Sequence, residues 1–422
     1  MYRDYPRPKV LVAQLGARRH YQQPVLLHQW GMLDALYTDF YAGDIWPFKS
    51  LVNFGVIDGL PSFLKKGINR YNPKLTTAKI VQFPWFGYRY AKNLRDANRE
   101  NLPSVCLAAG QSFCRRIIQH GLGEADTVYG FNSACLELFI YAKKKGLRCI
   151  LDQTLAERSY YYQLLQEEID RWPDWMMRDF SLTKADRQYI EREQQEQDLA
   201  DHIICGSSFV KNSLMARGIP AEKISVVPLG KNKTDVTSIE KLGSPWQTRK
   251  AGLHVLFAGT VGLRKGIPYL LEALRGLKGQ IPFVCKVAGT IEIKFEKIQD
   301  YSDVCQFLGC LPRSDMASLY RWADVLVLPS ICEGSAMVAY EALQYGLPVI
   351  TTDHAGSIIS NYEPLRKWIV PIRDTVALQN AILHFYNSAL DEETTNFLYS
   401  CLGQSQQIAL DTFEQAIRYP AG

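Results

Sequence analysis

The stretch ADVLVLPSICEGSAMVAYEALQYGLPVITTDHAGS, residues 323–357, carries the strongest structural signal in the chain. Its pattern predicts a buried strand over 325–328, a helix over 335–345 and a second strand over 348–351, with Gly346 ending the helix. A strand, a helix and a second strand in this order are typical of a parallel α/β fold. Loops at the carboxyl ends of such strands open on a common crevice, where ligands bind.

Two acids in this stretch, Glu333 and Glu341, lie eight residues apart across the loop and the helix. The free N–H groups of a helix that begins near Ser335 favour an anion such as a diphosphate. At about 100° per residue, Glu341 falls near the second turn, on a face that reaches a ribose diol, while Glu333 lies where a sugar would extend. Carboxylates suit paired hydroxyls, so the pattern predicts a nucleotide-sugar site. The alternative for Glu341 is an acid on the helix surface.

The composition fits a folded protein of two domains. The chain has 422 residues, of which 47% are hydrophobic and 22% charged. It holds no run of about 18 uncharged apolar residues, so we expect no transmembrane helix. Charges and prolines occupy the N-terminus where a signal peptide needs an apolar core, so we expect a cytoplasmic protein. Ten cysteines are scattered without metal-ligand spacing, which predicts reduced thiols and no zinc site.

The net charge of +5 is unevenly distributed, because residues 1–100 hold 15 Lys and Arg against 7 Asp and Glu. Over residues 41–100 these basic side chains are interspersed with aromatic ones. Such a composition suits a peripheral membrane contact, since apolar burial and attraction to anionic lipid add. The alternative is a pair of helices with core aromatics and solvated lysines. We expect no nucleic-acid partner.

The first half of the chain alternates strand and helix signals. KVLVAQ, residues 9–14, predicts a strand buried on both faces, followed by a loop containing Gly16. A helix is predicted from near Pro24, with apolar residues as far as Leu36. A later strand ends at Asp152, whose carboxylate we expect to point into the crevice.

A polar stretch over 231–246 is the best candidate for a linker between domains. It separates a predicted N-terminal domain, residues 1–232, from a C-terminal domain over 246–404. The last part of the chain, which includes QIALDTFEQAIRY, is predicted to be helical.

Three loops of the second domain follow three predicted strands and should meet at one crevice. The first, GTVGLRKGIP, combines Gly262, which lets a ligand approach the backbone, with the adjacent cations Arg264 and Lys265. Two cations of this kind neutralise a diphosphate. The second, LGCLPRSD, is partly apolar and places Leu311 where it would cover a base. The third contains Glu333. Each loop alone is a common turn, but together they predict a site for a diphosphate, a ribose and a sugar.

CEGSAMVAYEALQYGLPVITTDHAGS, GTVGLRKGIPYLLEAL and ADHIICGSSFVKNSLMARGIPAEKISVVPLG together resemble the retaining glycosyltransferases of the GT-B fold with the E-x7-E motif, often called family 4. The resemblance extends over about residues 200–357. It implies an α/β protein of two Rossmann-like domains that face each other across a cleft. The nucleotide-sugar donor would lie on the C-terminal domain and the acceptor mostly on the N-terminal one. The final helix, within 405–422, would pack back on the N-terminal domain.

The resemblance also implies residue roles. The first acid of the family motif contacts the donor sugar and the second binds the ribose, which matches Glu333 and Glu341. The basic pair binds the diphosphate, which matches Arg264 and Lys265. Further donor-binding residues lie in the loops and the first turn of the helix: Gly16, Gly262, Leu311, Gly334, Ser335, Ala336, Met337 and Val338. No D-x-D triplet occurs, so we expect neither a metal nor another cofactor.

Two departures from the family pattern concern the first domain. Many members carry two glycines in the loop after the first strand, whereas this chain has Gly16 followed by ARRH. Many also place a histidine after the strand that here ends in LDQ. Asp152 is our candidate to replace that histidine as a catalytic residue, with His20 as the second choice. The alternative for Asp152 is a turn acid at the strand end.

These patterns predict a metal-independent, retaining, hexosyltransferase-like enzyme that transfers a sugar from a nucleotide-sugar donor to a glycan or lipid-linked acceptor. One alternative is a degenerate binding or scaffold module, which the missing histidine and the single glycine favour. A nucleotide-sugar epimerase of similar architecture is the other, because a cleft that binds a nucleotide sugar need not transfer it.

Overall fold

A computed structural model describes most of the chain, namely residues 7–44, 67, 70–98, 100–177, 181–228, 252–356, 363–388 and 407–419. The predicted linker, 231–246, and much of the basic, aromatic region lie outside the described residues.

Seven parallel strands form the first sheet, in the order β3-β2-β1-β4-β5-β6-β7. The strands are β1 Val10–Gln14, β2 Leu33–Thr38, β3 Ile80–Gln82, β4 Thr127–Phe131, β5 Arg148–Gln153, β6 His202–Cys205 and β7 Ile224–Val226. The helices of this half are α1 Gln22–Gln29, α2 Pro84–Asp96, α3 Leu102–His120, α4 Leu136–Lys144, α5 Arg158–Arg171, α6 Lys184–Leu199 and α7 Ser208–Ala216.

Six parallel strands form the second sheet, in the order β10-β9-β8-β11-β12-β13. The strands are β8 Leu253–Ala258, β9 Phe283–Ala288, β10 Gln306–Gly309, β11 Val325–Leu328, β12 Val349–Thr352 and β13 Ile369–Val370. The helices are α8 Ile267–Leu277, α9 Phe295–Asp300, α10 Arg313–Trp322, α11 Met337–Gln344, α12 Glu363–Arg366 and α13 Thr375–Asn387. A last helix, α14, spans 407–418.

These two sheets confirm the predicted α/β fold with two Rossmann-like halves. The strand order reverses between β1 and β4 in the first sheet and between β8 and β11 in the second. Ligands of such folds bind at the carboxyl ends of the strands on either side of the reversal. The loops after β1, β4, β8 and β11 are therefore the ones that can form a site. The opening stretch of sequence supplies β11 and the loop that follows it.

One predicted helix is shorter than expected. The sequence pattern continued it to Leu36, but α1 ends at Gln29 and the following segment, Leu33–Thr38, is the buried strand β2. Gly31 has a φ of 68°, a left-handed conformation that ends the helix. The apolar residues after the glycine match a helical period by coincidence, and pairing with β1 decides their structure.

The two halves make direct contact through α5. Glu168 on this helix is fully buried and accepts a hydrogen bond from Tyr269 on α8 at 2.8 Å. It also forms an ion pair with Arg373, which precedes α13. α5 therefore connects the N-terminal half to the C-terminal half beside the cleft.

The last helix packs on the first sheet. Phe413 on α14 contacts the Trp30 ring at a centroid distance of 5.7 Å and the Tyr129 ring at 6.0 Å. Arg148 at the start of β5 donates hydrogen bonds to the carbonyls of Ile417 and Ala416, at 2.6 and 2.9 Å. In the part of the chain that the structure describes, no helix combines the length and the apolar character needed to cross a bilayer.

Candidate active site

The loop after β8 presents two cations to the loop after β11. Leu263–Lys265 forms a single 3-10 turn that ends at Gly266, whose φ is 67°. A Cβ at Gly266 would lie 1.9 Å from the carbonyl oxygen of Pro329, so only glycine fits there. The backbone N–H of Ile331 donates to the Arg264 carbonyl at 2.9 Å. These contacts fix the cationic turn against the start of the opening loop.

Arg264, Lys265 and Glu333 form one compact cluster. The Lys265 ammonium lies 2.9 Å from a carboxylate oxygen of Glu333, and the Arg264 guanidinium contacts the same oxygen. Arg264 also donates to the Cys332 carbonyl at 3.1 Å. We expected the three residues to lie at one crevice, the cations at a diphosphate and Glu333 at a sugar. In the structure they also pair with one another.

Burial and the negative charge of Glu333 shift the pKa values of Arg264 and Lys265 in opposite directions. Burial lowers the pKa of Lys265 below its usual range, and the neighbouring Glu333 carboxylate partly offsets that effect. For Arg264, burial also favours the neutral form, but the charge of Glu333 outweighs it and raises the pKa. The two basic side chains share one carboxylate, so basic groups outnumber acidic ones in the cluster. The cluster therefore keeps a net positive charge for an anion.

The loop between Glu333 and α11 forms the other part of the C-terminal site. α11 begins at Met337, two residues later than predicted, because Ala336 has extended backbone angles. Glu341 follows on the second turn, and one of its carboxylate oxygens accepts a hydrogen bond from Tyr320 at 3.0 Å. Its side chain is partly exposed. Glu341 therefore lies on α11, eight residues along the chain from Glu333.

The N-terminal half closes over the start of this loop. The hydroxyl of Ser207, which follows β6, donates to the Gly334 carbonyl at 2.7 Å. A Cβ at Gly334 would lie only 1.8 Å from the carbonyl oxygen of Thr154, which follows β5. Gly334 is therefore a point of close contact between the two halves. We had assigned this glycine to donor binding alone.

Asp152 does not reach the cleft, so the expectation that its carboxylate points into the crevice is wrong. The residue is 1% exposed and accepts hydrogen bonds from the Tyr129 hydroxyl at 2.6 Å and from Gln23 at 2.9 Å. Side chains alternate along a strand, and at this position of β5 they point toward α1. A role for Asp152 in contacting the sugar finds no support in this geometry.

The other predicted donor-binding residues lie in the expected loops. Gly16 follows β1, has a φ of 86° and donates its N–H to Asp39 at 2.9 Å. Gly262 has extended backbone, and a Cβ there would lie 3.1 Å from a Glu292 carboxylate oxygen. The remaining five are buried or partly buried: Leu311 lies in the loop after β10, Ser335 and Ala336 lie in the loop after β11, and Met337 and Val338 lie in the first turn of α11.

A cavity of about 650 Å³ lies between the two halves beside the cationic turn. Its C-terminal wall includes Gly262, Arg264 and Glu292. The opposite wall is formed by α5 and by the segment that joins α2 to α3, and it is largely apolar. The lining from that side includes Leu94, Ala97, Leu102, Pro103, Leu155, Arg158, Tyr161, Tyr162 and Leu165.

Sequence reasoning missed the residues of α5 that face this cavity. Arg158 forms an ion pair with the buried Glu193 at 3.0 Å, and its guanidinium lies 4.1 Å from the centre of the Tyr189 ring. Tyr162 donates a hydrogen bond to Asp186 at 2.8 Å. The run ERSYYY, residues 157–162, was the available signal, because three consecutive tyrosines seldom serve only as core residues of a polar helix.

Solved structures of low sequence identity share this architecture over nearly the whole chain. WaaG, a glycosyltransferase involved in lipopolysaccharide biosynthesis, aligns with a TM-score of 0.57 at 16% identity, over 97% of this chain and 99% of that one. The apo form of the lipopolysaccharide outer core galactosyltransferase WaaB aligns with a TM-score of 0.52 at 17% identity, over 91% and 98%. These likenesses show the GT-B fold.

Comparison of the sequence with protein families gives a match within the second half of the chain. Residues 240–397 match the family described as Glycosyl transferases group 1. The chain is 29% identical over 220 residues to the putative colanic acid biosynthesis glycosyltransferase WcaL of Salmonella typhimurium, over 48% of this chain and 51% of that protein. It is 26% identical over 195 residues to the amylovoran biosynthesis glycosyltransferase AmsK of Erwinia amylovora, over 43% and 46%. The chain thus spans about half the length of the curated relatives that it matches.

Proposed function

We propose that this protein is a retaining glycosyltransferase that transfers a sugar, a hexose by our expectation, from a nucleotide-sugar donor to a glycan or lipid-linked acceptor. The observation that supports this best is the Arg264–Lys265–Glu333 cluster, which lies where the strand order of the second sheet reverses. The group 1 match over residues 240–397 covers the same cluster. A cationic pair at this place suits a diphosphate, and an adjacent carboxylate suits sugar hydroxyls.

The proposed roles follow from the positions of the side chains. Arg264 and Lys265 bind the diphosphate, Glu341 binds the ribose, and Glu333 contacts the donor sugar. Backbone groups of the adjacent loops complete the donor site, namely those of Gly16, Gly262, Gly334, Ser335, Ala336, Met337 and Val338, while Leu311 covers the base. Asp152, which is buried away from the cleft, has no role in this proposal.

The proposed reaction requires the protein to supply positive charge and to hold the substrates in position. Negative charge grows on the departing diphosphate as the glycosidic bond breaks, and cations already aimed at it stabilise the transition state more than the ground state. We propose that no divalent metal takes part, because two buried or half-buried cations supply the positive charge. No other cofactor is needed.

Product analysis tests this proposal. The protein is incubated with candidate nucleotide sugars, with and without glycan or lipid-linked acceptors and in the presence of EDTA. We expect a new glycosidic bond with the anomeric configuration of the donor. Inversion of that configuration would exclude the retaining mechanism, and loss of activity in EDTA would exclude metal independence. An altered donor sugar without any acceptor would favour an epimerase.

Helix α2 supports a lipid-linked acceptor on the cytoplasmic face of a membrane. Trp85 and Tyr88 are 82% and 65% exposed, and Arg89 and Lys92 lie on the same face one turn further along. Phe86 instead packs on the core ring of Phe113. Exposed aromatics beside cations suit the interface of an anionic bilayer. The same helix leads into the apolar wall of the cavity, so an acceptor could pass from the membrane into the cleft.

Sedimentation with vesicles tests this contact. We expect the protein to bind phosphatidylglycerol vesicles at low salt and to release them as salt is raised. The double variant Trp85→Ala/Tyr88→Ala should bind weakly. Ile408→Ala, which removes a side chain 65% exposed on α14, is the matched control and should bind like the wild type. Equal binding by the aromatic variant would exclude this surface.

A further inference from the structure

The loop after β1 contains a short left-handed turn made without glycine. Arg19, His20 and Tyr21 have φ values of 47°, 50° and 63°. Left-handed backbone is unfavourable for an L-residue, and such residues usually occur singly. Three in succession mark a strained segment, and strain of this kind persists only where the surroundings hold it.

Side chains on both sides hold this turn. The buried Gln14 at the end of β1 donates its amide to the carbonyls of Gly16 and Arg18, each at 3.1 Å. Asn72 donates to the His20 carbonyl at 3.1 Å. Tyr21 is fully buried, and its hydroxyl donates to the Phe40 carbonyl at 3.1 Å. The turn is therefore fixed in the folded protein.

The turn places the side chain of Arg19 beside Gly206 and Ser335, where the two halves meet. Its guanidinium lies 3.0 Å from the place that a Cβ would occupy on Gly206, and Ser335 Cβ lies 3.0 Å from the same place. Arg19 thus reaches from the first half to the beginning of α11 in the second. Within the described residues its guanidinium makes no hydrogen bond or ion pair. The adjacent Arg18 differs, because it lies over the Phe131 ring and donates to Asn132.

We infer that Arg19 is the contact from the N-terminal domain to the diphosphate of the donor. This inference rests on the proposed function. Glu333 neutralises part of the charge of Arg264 and Lys265, so a further cation strengthens the binding of a diphosphate at this place. Arg19 supplies it with donors that none of the described residues occupies, and its planar fork suits a phosphate. The strained turn takes the place of a second glycine by presenting a side chain instead of bare backbone.

Calorimetric titration of the full chain with UDP, GDP and ADP tests this inference. We use the nucleoside diphosphate that the wild type binds most tightly. Arg19→Ala should weaken binding by about 10-fold or more, on the scale of one charge-assisted hydrogen bond. Arg19→Lys should restore part of the affinity. Arg18→Ala removes the neighbouring cation of the same loop and should bind like the wild type.

The outcomes separate the inference from the function on which it rests. If Arg19→Ala and Arg19→Gln both bind the diphosphate like the wild type, while Arg264→Ala does not, then Arg19 has no part in the site. If Arg18→Ala weakens binding as much as Arg19→Ala, the effect is one of general charge and the assignment is wrong. If the wild type binds none of the three diphosphates, the proposed function fails as well.

Discussion

Lys265 and Arg264 share one carboxylate oxygen of Glu333, with the Lys265 ammonium at 2.9 Å. Under the proposed roles, this relationship links the two ends of the donor, because a diphosphate that binds the cations would compete with Glu333 for them. The Glu333 carboxylate would then accept hydrogen bonds from the sugar.

The first prediction concerns this competition. Glu333→Gln removes the internal anion, so a nucleoside diphosphate without a sugar should bind about 10-fold more tightly, a gain typical of losing one charged competitor. Turnover of the nucleotide sugar should fall, because the sugar loses its carboxylate contact. Calorimetry and steady-state rates check the two effects. Weaker diphosphate binding in Glu333→Gln would contradict competition.

The second prediction concerns the ribose. Glu341 is partly exposed and accepts a hydrogen bond from Tyr320, and we propose that this carboxylate binds the ribose diol. Glu341→Gln should weaken nucleotide binding by about 1.5–3 kcal/mol, the range for a hydrogen bond to a charged group. Binding of the corresponding 2′-deoxynucleotide should be much less affected. An equal loss for both nucleotides would mean that Glu341 does not contact the 2′-hydroxyl.

The third prediction concerns closure of the cleft. A Cβ at Gly334 would lie 1.8 Å from the Thr154 carbonyl, so Gly334→Ala must push the two halves apart. We expect a larger radius of gyration by small-angle X-ray scattering, and activity at least 10-fold lower, because misplacing reacting groups by about 1 Å costs rate. Gly146→Ala is the control for backbone strain without a steric clash, since its φ is 76° and its Cβ would meet open space; it should leave the scattering unchanged. Unchanged scattering and activity in Gly334→Ala would exclude the contact.

The fourth prediction concerns stability against acid. His202 on β6 is 5% exposed, and burial, aided by nearby cations such as Arg148, lowers its pKa to about 4. The unfolded chain takes up a proton here near pH 6.5, before the folded protein does. The stability linked to His202 is thus present above pH 6.5 and is lost as the pH falls toward 4.

Urea unfolding between pH 4 and pH 8 measures this effect. His202→Gln should remove up to about 3 kcal/mol of the pH-dependent loss in the free energy of unfolding. If the free energy of unfolding of His202→Gln varied with pH as it does in the wild type, the link between His202 protonation and stability would be wrong.

Much of the fold could be predicted from the sequence, because buried parallel strands are continuous apolar runs. β1 and β11 lie within one residue of their predicted bounds. β2 was missed, because Leu33 and Leu36 also fit the period of the preceding helix. Only the backbone conformation of Gly31 and the pairing with β1 distinguish the two structures.

The site was harder to predict, because its geometry depends on contacts between distant loops. Spacing indicated that Arg264, Lys265 and Glu333 belong to one crevice, but it did not indicate that they bind one another. The Asp152 side chain points toward α1 because α1 packs on that face of β5. The sequence of β5 alone does not indicate which of its faces α1 covers. The amino-acid composition does not indicate the left-handed turn at Arg19, since none of its residues is a glycine.

A thermal-shift screen of nucleotide sugars tests the central claim most directly. A donor at 100 times its dissociation constant should stabilise the wild type by about 2.7 kcal/mol and raise its Tm. The double variant Arg264→Ala/Lys265→Ala should show no such shift, while Lys278→Ala, which removes an exposed surface cation paired with Asp303, should shift like the wild type. Shifts of equal size in the wild type and the double variant, or no shift with any nucleotide sugar, would contradict the assignment of this cluster as a donor site.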